Sequence, residues 1–179
     1  MSANADWTHR NGGPSHAITH PQLGTALTPV FANDIGAGNS RRLRITADPV
    51  VAGGRIFTLD SQSQVVATST AGETLWSRSV IPATDNPRDA SGGGLAANGS
   101  VLLATTGFGE VVALDPATGG ELWRQDLDAP GTSAPTIFGE LAYVVSRDGR
   151  AWAIERGNGR IRWTQTSTAP VSNFAGGAG

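Results

Sequence analysis

An all-β fold built from repeated four-stranded units follows from three observations on this 179-residue chain. A short phrase ending in tryptophan recurs as AGETLW, TGGELW and NGRIRW, closing at Trp76, Trp123 and Trp163. The runs between these phrases are rich in β-branched and apolar residues, and none carries a helical apolar period of useful length. Glycine is abundant, 24 residues beside 10 prolines, which suits a chain with many tight turns.

The repeat has four landmarks in fixed order. A turn glycine leads each copy: Gly53, Gly99 and Gly139. An alanine follows 14 residues later as Ala67, Ala113 and Ala153. A second glycine comes next, at Gly72, Gly119 and Gly159, and the tryptophan stands four residues beyond it each time. The first strand of each copy is expected in DPVVA, GLAAN and APTIF, and the second in 54–59, 100–105 and 140–145. The third is expected in 64–68, 110–114 and 150–154, and the fourth in 73–80, 121–127 and 160–167. Four short strands in about 40 residues is the period of a β-propeller blade. Such a sheet has two apolar faces and must stack on its neighbours. The small alanine leaves room for a large ring, the second glycine serves a turn that disfavours a side chain, and the indole covers the junction between blades.

The organisation expected is a segment over 1–46 with a ring-closing strand near 30–35 and Phe31 in the place of a tryptophan. A first blade over 47–80, an inserted loop over 81–93, and blades over 94–128 and 133–167 follow. Residues 168–179 read as a linker toward a further blade. The insertion shows in the spacing: 23 residues separate Trp76 from Gly99 but 16 separate Trp123 from Gly139. Protruding loops carry binding more often than the scaffold does, so Asp85, Asn86, Arg88 and Asp89 are candidate partner contacts. The densest positive run, NSRRLR, adds Arg41, Arg42 and Arg44, suited to an acidic partner or to lipid headgroups.

Composition narrows the chemistry. The net charge of −2 gives no field that would gather nucleic acid. Cysteine is absent, which removes disulfides, thiolate metal sites, a cysteine nucleophile and a lipid-bearing cysteine from these residues. The opening MSANADWTHRNGG lacks a charged stretch followed by an apolar one, so the chain is expected to be cytosolic or a piece of a processed protein. The carboxylates Asp60, Asp85, Asp89, Glu110, Asp115, Asp126, Asp128 and Asp148 are scattered and fall mostly in turns, so no catalytic or metal residue is assigned. His9, His16 and His20 cluster ahead of the blades. Pro14 and Pro21 argue against the helix that would pair His16 with His20 as ligands. GFGEVV at 107–112 has no helix after it and is no phosphate loop.

VVALDPATGGELWRQDL at 111–127 resembles the blade repeat of the quinoprotein-like (PQQ-like) β-propellers, and the repeat covers 47–167. The order WTHRNGGPSHAI, PVFANDIGAGNSRRLR, ADPVVAGGRIFTLD resembles the N-terminal part of the BamB-like branch. That resemblance implies a non-catalytic periplasmic scaffold at the outer membrane. It would have no cofactor and would be bound to BamA of the barrel-assembly complex. Rings of this kind have about eight blades of about 40 residues each, so a three-blade fragment able to self-associate is expected. Part of a quinone-dependent dehydrogenase and a ligand-binding sensor propeller remain as alternatives.

Overall fold

The computed structural model describes residues 4–18, 28–131 and 133–167. Twelve strands form three four-stranded sheets, and no helix occurs among the described residues. The first sheet is β1 (Val50–Ala52), β2 (Arg55–Leu59), β3 (Gln64–Ser69) and β4 (Thr74–Ser79). The second is β5 (Gly93–Ala97), β6 (Leu102–Thr106), β7 (Glu110–Leu114) and β8 (Glu121–Asp126). The third is β9 (Thr136–Phe138), β10 (Leu141–Val145), β11 (Arg150–Glu155) and β12 (Ile161–Thr166). Every sheet is an antiparallel meander in chain order. This is the partial all-β propeller of three blades that the repeat predicts.

The blades meet through their first strands, β1 against β5 and β5 against β9, whereas β4, β8 and β12 lie outermost and largely exposed. One core joins Val50, Phe57, Val65 and Ala67 of the first blade to Leu95, Leu102, Ala104, Val112 and Leu114 of the second. Two smaller clusters join the second blade to Ile137, Ala142, Val144, Trp152 and Ile154 of the third, and Trp123 packs on both. The middle blade is therefore buried on both faces, and β5 and β6 are buried at every position. β10 alternates between buried and half-buried residues instead, because one face of the third blade has no neighbouring sheet among the described residues.

The landmarks fall in one repeated geometry. Ala67, Ala113 and Ala153 face Trp76, Trp123 and Trp163 across the third and fourth strands, and a bulge follows each pair. The Trp76 ring reaches forward onto Gly119 of the next blade, and Trp123 reaches onto Gly159. A Cβ at either glycine would lie 2.6 Å from the ring, and both backbones have positive φ, 71° and 77°. Each of these two indole N–H groups is satisfied across the junction. Trp76 donates to the Pro116 carbonyl at 3.1 Å and Trp123 to that of Arg156 at 2.8 Å. Gly99 departs from its siblings: Gly53 and Gly139 turn with φ near 57° and 58°, but the β5–β6 turn rests on Asn98 Oδ1, which accepts from the Ser100 and Val101 amides.

The segment 30–35, expected as a strand, carries no ladder pairing. Phe31 nevertheless sits on Gly72, its Cγ 2.8 Å from where a Cβ would stand, as Trp76 sits on Gly119. Asn33 Nδ2 donates to Thr68 Oγ1 and Thr74 Oγ1 at 3.1 and 3.0 Å, which holds the segment on the first blade. The linker expected over 168–179 lies outside the described residues.

Candidate partner-binding surface

In an up-and-down blade, the turn from second to third strand and the connection to the next blade emerge at the same end. Three chain segments meet at that end of the first blade. They are the β2–β3 turn at 60–63, the β4–β5 connection with its extra residues, and the stretch 36–46 ahead of β1.

Asp60 joins the first and third of these. Its side chain is buried and accepts three backbone N–H bonds, from Gln62 at 2.8 Å, Gln64 at 2.7 Å and Ala37 at 2.7 Å. The first two close the β2–β3 turn and the third ties in the incoming stretch. Ser61 Oγ adds a donated bond to the Gly38 carbonyl at 2.8 Å. Beyond Gly38 the chain closes a small capped loop. The Ser40 amide donates to the Leu43 carbonyl at 2.8 Å, the Leu43 amide to Ser40 Oγ at 3.1 Å, and the Ile45 amide to Asn39 Oδ1 at 2.7 Å. Leu43 is buried, so Arg41 and Arg42 are left exposed at the tip.

The connection after β4 folds by local turns. Asp85 N–H donates to the Pro82 carbonyl, Asp89 N–H to that of Asn86, and Arg88 N–H to Asn86 Oδ1 at 3.0 Å. Asn86 Oδ1 thus shapes the loop, and the side chain is exposed. Two bonds dock this loop on the preceding stretch: Arg44 N–H to Ser91 Oγ, and Thr46 Oγ1 to the Gly93 carbonyl at 2.9 Å.

The result is an open groove of about 430 Å³ lined by Ser40, Arg41, Arg42, Leu43, Gln62 and Arg88. Of the candidate contacts, the fold brings together Arg41, Arg42 and Arg88, although more than forty residues separate Arg88 from the other two along the chain. Arg44, Asp85, Asn86 and Asp89 do not line it, although all four are exposed nearby. Among the described residues, no ion pair or side-chain hydrogen bond engages the guanidinium of Arg41, Arg42 or Arg88.

Most other charged residues have structural work. Arg124 bonds Glu110 and Glu121 and donates to the Val80 carbonyl of the first blade at 3.1 Å; the hydrogen bond from Arg124 holds the Glu121 carboxyl below the usual carboxylate range. Asp148 accepts from Ser146 Oγ and Arg150, and Asp115 from the Ala117 amide. No cluster of three or more groups able to hold a metal occurs among the described residues.

A second feature leaves no trace in the repeat. The stretch 6–9 crosses the free edges of all three innermost strands. Trp7 exchanges both backbone hydrogen bonds with Val51 of β1 at 2.8 and 2.7 Å, and the Thr8 carbonyl accepts from Ala97 of β5 at 2.8 Å. His9 Nε2 accepts from the Ile137 amide of β9 at 2.9 Å, and His16 Nε2 bonds Thr136 Oγ1 of the same strand. These two histidines, which the sequence presents as ordinary loop residues, fasten the strap; His20 lies outside the described residues.

Stacked four-stranded meanders with forward-reaching tryptophans define part of a β-propeller. The chain belongs to the family described as outer membrane protein assembly factor BamB, whose family model matches residues 61–178. A BamB from Alkalilimnicola ehrlichii is 32% identical over 141 residues, covering 72% of this chain and 36% of the relative. The solved BamB of Moraxella catarrhalis superposes with a TM-score of 0.59 at 19% identity, over 73% of this chain and 38% of that one. A quinohemoprotein alcohol dehydrogenase from Comamonas testosteroni superposes with a TM-score of 0.72 at 20% identity, over 92% of this chain and 27% of that one. The two structural likenesses speak for the fold alone. This chain spans little more than a third of the length of the Alkalilimnicola and Moraxella BamB proteins.

Proposed function

We propose that this chain acts as a non-catalytic propeller scaffold of the BamB type, working in the periplasm at the outer membrane as part of the machinery that assembles β-barrel proteins, with BamA as its partner. The family match over 61–178 carries this reading, because it spans ten of the twelve strands, all but β1 and β2. The groove and the exposed loops around it, with Asp85, Asn86, Arg88, Asp89, Arg41, Arg42 and Arg44, form the contact surface in this reading. A rigid stack of sheets holding loops on one face is suited to docking a second protein. Phe31 on Gly72 supports a role for 30–35 as the outer strand of a neighbouring blade when the ring is closed. The test is biolayer interferometry of the protein against the periplasmic domains of BamA from the same organism, together with outer-membrane barrel levels in a strain lacking the gene. Unchanged barrel levels and no binding would overturn the reading.

The dehydrogenase reading has a sequence relative in its favour, the quinohemoprotein alcohol dehydrogenase ADH IIB of Pseudomonas putida, 29% identical over 86 residues that cover 42% of this chain and 12% of that protein. Pyrroloquinoline quinone titrated into the protein and followed by absorbance separates the two: a saturable spectral change supports the enzyme, and none supports the scaffold.

A further inference from the structure

We propose that the groove between the 39–45 loop and the β4–β5 connection binds a short extended protein segment through its acidic side chains. This goes beyond the scaffold reading and holds whatever the identity of the partner.

Three features carry it. The walls bring the guanidinium-bearing residues Arg41, Arg42 and Arg88 to one groove, with no carboxylate in the lining. Three positive charges gather there on a chain whose net charge is −2. Guanidinium is a planar fork whose donors match a carboxylate in pairs, and among the described residues these three have no internal partner.

The remaining lining groups suit a polypeptide. Ser40 and Gln62 carry groups that both donate and accept, which is what the alternating N–H and C=O of an extended backbone require. Leu43 closes the floor with an apolar surface. A free phosphate calls for donors converging on one point, commonly backbone N–H groups in a nest. Here the donors sit on two separate loops along an open trough.

The surroundings decide between a protein and an anionic membrane. Asp85 and Asp89 are exposed on the same loop as Arg88. A flat negative bilayer would meet these carboxylates as well as the arginines. A protein segment can place its acidic residues in the trough and neutral or basic ones beside the two aspartates.

The test uses the whole chain and a fluorescein-labelled peptide with two adjacent glutamates in a glycine–serine frame, read by fluorescence anisotropy at low and physiological salt. The expected result is saturable binding that weakens at least tenfold in R88E and in R41E/R42E, is lost on replacing both glutamates by glutamine, and tightens in D85N/D89N. All five side chains are exposed, and among the described residues the arginine side chains make no bond and Asp85 only a local one with Thr84 Oγ1 at 3.3 Å, so the variants should keep the parent circular dichroism spectrum. The proposal is overturned if the glutamine peptide binds equally, if inorganic phosphate at low millimolar concentration displaces the peptide, or if phosphatidylglycerol vesicles bind while the peptide does not. Loss of BamA binding with retained peptide binding would count against the scaffold reading alone.

Discussion

The Ile137 amide donates a hydrogen bond into Nε2 of His9 at 2.9 Å, which joins the ninth residue of the chain to the innermost strand of the third blade. A nitrogen that accepts an N–H carries no proton of its own. His9 is 2% exposed, and burial together with the neighbouring His16 lowers its pKa to about 4.

Stability should therefore depend on pH with a definite sign. Protonation is easier in the unfolded chain, near the ordinary histidine value of about 6.5, than in the folded one. The contribution of neutral His9 is complete above that value, falls as the pH drops toward about 4, and is fully lost below it. Hydrogen exchange at the Ile137 amide should accelerate over that window relative to the amide of Val112 in the middle blade. H9Q keeps an acceptor without a titrating group and should flatten the dependence. An exchange rate that tracks pH identically in both proteins would refute the assignment.

The glycine under each tryptophan should be far less replaceable than other turn glycines. In G119A the new methyl meets the Trp76 ring at 2.6 Å on a backbone with φ of 71°. Overpacking of this kind destabilises by about 1–3 kcal/mol, and the left-handed backbone adds about 1 kcal/mol. G139A has a similar φ of 58° but no atom within 4 Å of the methyl, so it should show only the backbone penalty of about 1 kcal/mol. Urea denaturation of the two variants gives the comparison directly.

Trp163 should behave unlike Trp76 and Trp123. It is 44% exposed, stacks loosely with Tyr143 at 6.2 Å, and belongs to the same blade as exposed Phe138. W163F should be nearly neutral for stability. W123F should cost about 1 kcal/mol or more, since it loses the bond to the Arg156 carbonyl as well as packing. If the isolated chain associates in sedimentation velocity runs, F138S/W163S should return it to monomer.

Two arginines separate half-buried from exposed ion pairs. Arg124 is 24% exposed and satisfies the Val80 carbonyl as well as two carboxylates. R124M should destabilise by about 1–3 kcal/mol, mostly by stranding those acceptors. Arg162 is 67% exposed and pairs with Glu155, so R162M should stay within about 0.5 kcal/mol of the parent. Thermal melts at two salt concentrations should show the second difference vanish.

The blades are legible in the sequence because their constraints are local and periodic. Ala67, Gly72 and Trp76 occupy sites where volume and backbone sign leave few alternatives, so they recur at fixed intervals. Gly99 keeps its place in the pattern without keeping the conformation, because Asn98 closes that turn by another route. The strap at 6–9 is invisible for a physical reason: it contributes one or two hydrogen bonds per strand, from backbone or imidazole, and such bonding imposes no hydropathy period. The groove is legible in pieces. Composition singles out 39–44 and spacing singles out 79–94, but their convergence rests on two bonds, Arg44 N–H to Ser91 Oγ and Thr46 Oγ1 to the Gly93 carbonyl, that no sequence pattern announces. Phe31 packs over Gly72 as Trp76 packs over Gly119, and the stretch around it makes no ladder pairing among the described residues.

The seating of Phe31 on Gly72, Trp76 on Gly119 and Trp123 on Gly159 gives the stack a direction. Each aromatic key belongs to the earlier stretch of chain and each lock to the later one. A blade emerging during synthesis finds its lock already facing a completed key, but its own key stays unturned until its successor appears. Assembly is thereby vectorial, and the provisional element at any moment is the most recently made one.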